Sequence, residues 1–138
     1  MIQLNFNLFP LSTNKLYVNI PGQKRRFVST EGKKFKATIE EEVKKGLSNK
    51  ETLLYLSSLI GKKLTVLIEV TSDKWFLKDK KTIRMLDIEN TAKALLDSIF
   101  TAYKDSNLEL DDKQIFELKL SKKVGLTDST LVQISELL

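Results

Sequence analysis

The chain has 138 residues, the size of one ordinary domain, and 41% of them are hydrophobic, enough for a real core. It contains no cysteine and no histidine, which excludes disulfides, thiolate metal sites, His-ligated zinc and any nucleophile activated by histidine. A net charge of +5 and a pI of about 9.3 favour a polyanionic partner.

From Ile2 to Phe9 apolar and polar residues alternate, which predicts a half-buried strand ended by Pro10. Gln3, Asn5 and Asn7 also interrupt any signal-peptide pattern, and no apolar run approaches the roughly 18 residues that span a bilayer. A soluble, cytoplasmic protein with no membrane partner is expected.

Leu11 to Thr30 is expected to be a long loop or irregular hairpin, with Pro21-Gly22 as its turn. Lys15, Lys24, Arg25 and Arg26 make it either a solvated basic loop or an arm that contacts phosphates. Phe35, Ile39, Val43 and Leu47 recur every four residues and predict a helix over Thr30 to Leu47. Ser48, with Glu51 three residues on, predicts a capping box for a short second helix that Gly61 ends.

Leu64 to Val70 is β-branched and apolar, the pattern of a central strand. A basic, aromatic loop follows, with Trp75 and Phe76 among Lys74, Lys78, Lys80, Lys81 and Arg84. Two readings are open: aromatic rings stacked on bases with lysines on phosphates, or rings packed on the core with lysines merely solvated.

The densest chemistry lies at Asp87, Glu89, Asn90, Lys93 and Asp97, completed by Asp111-Asp112. If the chain is extended at Asp87, its carboxylate and that of Glu89 share one face. In the helix expected next, Ala92, Leu95, Leu96, Ile99 and Tyr103 form the apolar stripe, while Asn90, Lys93 and Asp97 share the polar face. Such an oxygen-rich cluster suits Mg2+ or Mn2+ and not zinc. The bland alternatives are that Asp87 only caps the helix and that Asp111-Asp112 are only turn residues. Lys104 to Leu108 is expected as a turn, Lys113 to Leu120 as a strand, and Thr130 to Leu138 as a closing strand in preference to a helix capped at Asp128. The sum is an α+β domain over residues 1–138, with a mixed sheet of four to five strands and two main helices.

Asp87-x-Glu89-Asn90-x-x-Lys93-x-x-x-Asp97 followed by Asp111-Asp112-x-Gln114-Ile115 resembles the signature of the RusA family of Holliday junction resolvases. That signature runs Asp-x-Asp-Asn, then Lys, then Leu-Asp, then Asp-Asp ahead of a strand. Leu11-Ser12-Thr13-Asn14 with Tyr17, then Arg26, Ser29 and Gly32-Lys33, resembles the family's opening segment, so the likeness covers roughly the whole chain. Two positions depart from the pattern. Glu89 stands where the family has Asp, and Leu86 stands where a basic residue often precedes the first acid.

The resemblance implies a RusA-like, homodimeric, Mg2+-dependent endonuclease that resolves four-way DNA junctions in recombination and repair, in a phage or prophage setting. It implies Asp87, Glu89 and Asp112 as metal ligands with Asp111 assisting, Lys93 as the cation at the scissile phosphate, and Asn90 and Asp97 in support. Asn14, Lys24, Arg25, Arg26, Lys78, Lys80, Lys81 and Arg84 are the expected DNA contacts. The rival functions are a DNA-binding module without cleavage and a nuclease of other branched DNA.

Overall fold

Alternation along Ile2–Phe6 (β1) buries Ile2, Leu4 and Phe6 and leaves Gln3 and Asn5 in solvent, as a strand with one covered face requires. The computed structural model describes residues 1–84 and 87–138. The strand stops at Phe6 rather than Phe9, because beyond it Thr130 turns its hydroxyl onto the Leu8 carbonyl (3.0 Å) in place of ladder pairing.

A one-turn helix, Thr13–Leu16 (α1), lies where only loop and hairpin were expected; the hairpin follows as Tyr17–Asn19 (β2) and Arg26–Val28 (β3). Thr30–Leu47 (α2) has the expected limits and is capped by Ser29, whose hydroxyl accepts from the Gly32 N–H at 2.9 Å. Gly32 is required there, since a side chain would collide with the Leu16 carbonyl.

Lys50–Ser58 (α3) is capped by Asn49 and not by the expected Ser48. Ser48 has helical dihedrals (φ −70°, ψ −17°) and closes α2, whereas Asn49 is extended (φ −85°, ψ 121°), as a cap must be. Gly61, at φ +76°, lies in the turn after α3 rather than at its end.

Leu64–Thr71 (β4), Ile88–Asp105 (α4), Ile115–Lys123 (β5) and Ser129–Glu136 (β6) complete the chain. The sheet order is β1-β6-β4-β5, with β6 antiparallel to both neighbours and β4 parallel to β5. It is mixed and four-stranded, and β2-β3 stands apart as a ribbon. The core lies between the sheet and helices α2 and α4, where Ile39, Leu95, Ile99, Leu64, Ile68 and Val132 are buried.

One further expectation is corrected, and two readings left open are decided. Helix α4 runs on to Asp105 through the expected turn at Lys104, because Ala102 and Tyr103 are buried; the turn comes at Asn107, with φ +66°. Trp75 is not a stacking platform: its indole N–H donates to the Val70 carbonyl at 3.0 Å, its ring tilts against Phe9 at 5.0 Å, and only 3% of it is exposed. Phe76 packs partly against the same core. Asp128 caps no helix; it accepts from Ser72 Oγ at 2.6 Å and pairs with Lys74 Nζ at 2.7 Å, and the strand reading of the C-terminal segment holds. Among the described residues no helix is long and apolar enough to cross a membrane.

Candidate active site

Helix α4 lies beside the outer strand β5, and a groove of about 510 Å³ runs between them. Ala92, Leu96, Leu118 and Leu120 form its apolar floor, and Glu89, Lys93 and Asp112 its polar rim. The apolar stripe of α4 predicts this arrangement. Once Leu95 and Ile99 face the core, Glu89 and Lys93, four apart, project together along one edge of the helix.

Asp87 and Glu89 do not form an extended pair. Asp87 is the N-cap of α4 (φ −84°, ψ 110°) and its carboxylate accepts from the Glu89 N–H at 2.8 Å, while Glu89 belongs to the first helical turn. The two therefore leave the turn on different sides. Asp87 lines a second cleft, of about 480 Å³, with Asn14, Lys15, Arg84 and Asn90. The Thr13 hydroxyl, donating to the Asn90 carbonyl at 3.1 Å, fastens α1 to this end of α4.

Asp111 and Asp112 also diverge. Asp111 caps the 3-10 turn Asp112–Gln114 in a reciprocal box with Gln114, and its carboxylate takes the Lys104 ammonium at 2.8 Å. Lys104 and the Lys113 N–H hold its pKa far below the carboxylate range. Asp112 is pushed up by partial burial and by the charges of Asp111 and Asp97. Asp97, on the third turn of α4, is thus near enough for its charge to be felt at Asp112.

Among the described residues no three carboxylates are grouped closely enough to cage a metal ion. The donor set still fits magnesium, which usually keeps several waters and takes one or two carboxylates along with substrate phosphates. Glu89 and Asp112 are the carboxylates on the groove rim; Asp87 and Asp111 are each engaged in capping.

The basic residues extend the second cleft at both ends. It shares Lys74 and Arg84 with a depression lined by Lys78 and Lys80, and shares Asn14 and Lys15 with one that reaches Ser29 at the start of α2. A trough of positive charge therefore passes the N-terminus of α4. The loop bearing Lys78, Lys80 and Lys81 is closed by Asp79, which accepts from the Lys81 and Thr82 amides and the Thr82 hydroxyl. Lys80 lies 3.3 Å from Asp73. Lys24, Arg25 and Arg26 sit on the exposed β2–β3 ribbon, Arg25 stacked over Phe27 at 5.2 Å, and do not line these clefts. Leu86 lies outside the described residues.

Sequence reasoning missed Lys104 as the partner of Asp111 and Asp79 as the organiser of the basic loop. Only Asp79 left a signal, an Asp three residues before Thr82 within a loop.

An acidic groove and a basic trough on the two sides of one helix start define an α+β domain equipped to handle a polyanion. Comparison with family models narrows this: the model of Endodeoxyribonuclease RusA matches residues 9–135, and the chain belongs to the RusA family, a family of nucleases. No curated protein matches the chain significantly.

Proposed function

We propose that this chain is a Mg2+-dependent endonuclease, with Mn2+ as a substitute, that resolves four-way DNA junctions by paired symmetric nicks. It would act as a homodimer of one-domain chains. The observation that carries the proposal is the gathering of Glu89, Lys93 and Asp112 on one groove in a chain of this family.

Glu89 and Asp112 would hold the ion. Asp97 adds negative charge beside Asp112, and Asp111, fixed by its cap and by Lys104, sets where Asp112 stands. When bound, the ion would lower the pKa of a water and offset charge on the scissile phosphate. Lys93 brings an ammonium to the same groove, where it balances charge building on the phosphoryl group and can protonate the leaving oxygen. Lysine fills this role because the chain has no histidine. Asn90 and Asp87 face the trough, where the Asn90 amide would hold a neighbouring phosphate and Asp87 remains a candidate ligand from the other side of the turn. Asn14, Lys15, Lys74, Lys78, Lys80 and Arg84 supply sequence-independent phosphate contacts. A four-way junction is two-fold symmetric, and a two-fold dimer presents two sites to it.

The test is one assay with labelled four-way, three-way and linear DNA, in Mg2+ or EDTA. Symmetric nicks in the four-way junction, in Mg2+ alone, are expected. Cleavage in EDTA would remove the metal, equal cutting of three-way DNA would widen the substrate, and binding without cutting would leave a DNA-binding module. That last reading draws on Glu89, which replaces the family's Asp with a longer side chain.

A further inference from the structure

The β2–β3 ribbon pairs Tyr17 with Val28 and Val18 with Phe27. Tyr17 packs on the core and Val28 lies against Gly32 of α2, so that face turns inward. Val18 and Phe27 share the opposite face, where Val18 is 45% exposed, and Ile20, two residues further on, is 45% exposed as well. The tip beyond them is rigid. The Gln23 N–H donates to the Ile20 carbonyl at 3.0 Å, and Pro21 and Gly22 (φ +82°) between them are the residues a type II turn demands. Holding Ile20 and Pro21 in solvent on a stiff turn contributes nothing to the core.

The charges around this tip specify its partner. No acid precedes Glu31 in the chain, whereas Lys24, Arg25 and Arg26 follow the turn directly. Among the described residues none of these three cations is paired with a carboxylate. The Arg25 guanidinium lies over the Phe27 ring at 5.2 Å, which holds it on the bare face. Uncompensated cations suit phosphates, and isoleucine and proline are side chains that can wedge between base steps. The root of the ribbon is tied to the active-site helix. The Ser29 hydroxyl, just after β3, donates to the Lys15 carbonyl at 2.7 Å, and Thr13, on the same short helix α1, donates to Asn90 of α4 at 3.1 Å. Val18 lines the depression that carries the basic trough on past Lys15. A duplex arm lying in the trough therefore brings its end to the ribbon.

We propose that the ribbon is the wedge by which this chain tells a branch point from a duplex. Ile20 and Pro21, backed by Val18, press on the bases at the branch, and Lys24, Arg25 and Arg26 hold the phosphates that flank it. Stacking is already interrupted where arms exchange, so a wedge enters there at less cost than in a continuous duplex. The inference rests on the proposed junction substrate and adds the element that selects it.

Binding of the full chain in EDTA to a four-way junction and to a linear duplex tests it, with a fluorescent base analogue placed at the branch and at the duplex centre. Wild type should brighten the analogue at the branch as its stacking is lost, and not in the duplex. Val18→Ser with Ile20→Ser should weaken junction binding by about tenfold, abolish the brightening and leave duplex affinity within about twofold. Ile20→Leu should behave as wild type, because it keeps the apolar tip. Replacing Lys24, Arg25 and Arg26 together by Gln should weaken both substrates and reduce the salt slope by up to about three. Val18 and Ile20 are exposed, so the serine pair should melt as wild type does, which separates a lost wedge from a lost fold. Equal weakening on junction and duplex by the serine pair, an unchanged preference, or no brightening by wild type overturns the wedge. Selectivity that depends on the ribbon in a protein that leaves junctions uncut in Mg2+ defeats the proposed nuclease and keeps the wedge. Symmetric cutting by the serine pair with undiminished preference for the junction does the reverse.

Discussion

The Lys104 ammonium lies 2.8 Å from the Asp111 carboxylate, and this contact gives two adjacent aspartates different work. Asp111 is committed to Lys104 and to the cap of the 3-10 turn, leaving Asp112 as the one that borders the groove. Asp112→Asn should lower the cleavage rate by roughly two to three decades while junction binding survives or tightens, because a charge that repels phosphate is gone. Asp111→Asn should cost less activity and should lower the melting temperature. Equal rates for wild type and Asp112→Asn in single-turnover cleavage would take Asp112 out of the site.

Asp87 permits a cleaner separation of roles than most capping residues. Asparagine caps a helix about as well as aspartate, whereas alanine costs about 1 kcal/mol. Asp87→Asn should therefore keep the stability of wild type and lose cleavage if the carboxylate meets metal or substrate from the trough side. Should Asp87→Asn cut normally and Asp87→Ala be merely less stable, Asp87 is a cap and no more. Thermal melts alongside single-turnover rates decide between them.

Lys93 shares its helix edge with Glu89, and among the described residues no carboxylate stands within ion-pair distance of its ammonium. A surface salt bridge to Asp97, worth about 0.3–0.5 kcal/mol, is thus not its role in the free protein. Lys93→Ala should lose roughly 3–4 kcal/mol of transition-state stabilisation, about two to three decades in rate, with little change in affinity. Lys93→Arg should recover part of the rate if charge alone matters and little if a proton is donated, since guanidinium does not give one up. A Lys93→Ala rate within threefold of wild type, on saturated junction, would remove the residue from the mechanism.

Junction affinity should fall steeply with salt, with a slope of log affinity against log salt near −5 for about six phosphate contacts. Replacing Lys78, Lys80 and Lys81 together by Gln should flatten it by up to about three. The slope will stay unchanged if that loop is only solvated.

Asp79 shapes this loop through three hydrogen bonds, and its pKa is lowered to about 2, first by the Thr82 hydroxyl and then by the Thr82 and Lys81 amides. A depressed carboxylate contributes order that is complete above its unfolded value, about 3.9, and is lost as pH falls through the folded one. The loop's amides should therefore keep their shifts at pH 5 and lose them near pH 2. Thr82→Val should move the Asp79 midpoint up towards its ordinary value. An NMR titration with an unshifted midpoint in wild type would show that the bonds do not hold in solution.

Much of the architecture is legible along the chain because local pattern and burial agree. The four-residue spacing of Phe35, Ile39 and Val43 ends where the helix ends, and the alternation of Ile2, Leu4 and Phe6 reports one covered face. The family was legible in the motif from Asp87 to Asp112, and the family comparison bears it out. Trp75 stayed open between two readings because its surroundings in sequence are basic, while its burial is set by Phe9, far upstream, and by a carbonyl on β4. The extended reading of Asp87 and Glu89 failed for a local reason: a side chain that accepts from the amide two residues on starts a helix there. The division between Asp111 and Asp112 was invisible, since it depends on Lys104 coming round at the end of a helix expected to stop sooner.

Strand β6 lies between β1 and β4, pairing Ile134 with both Ile2 and Val66. The central rung of the sheet is thus the last to be synthesised, and its contacts with β1 span nearly the whole chain, a topology that slows folding. Until residues 129–136 leave the ribosome, β4 and β1 each keep an edge waiting for the same strand. The β4–α4–β5 unit that carries the groove is translated earlier but stays unsupported on its inner side. A nascent chain therefore exposes strand edges before the groove is finished, and a domain built this way matures only once its sixth strand has been translated.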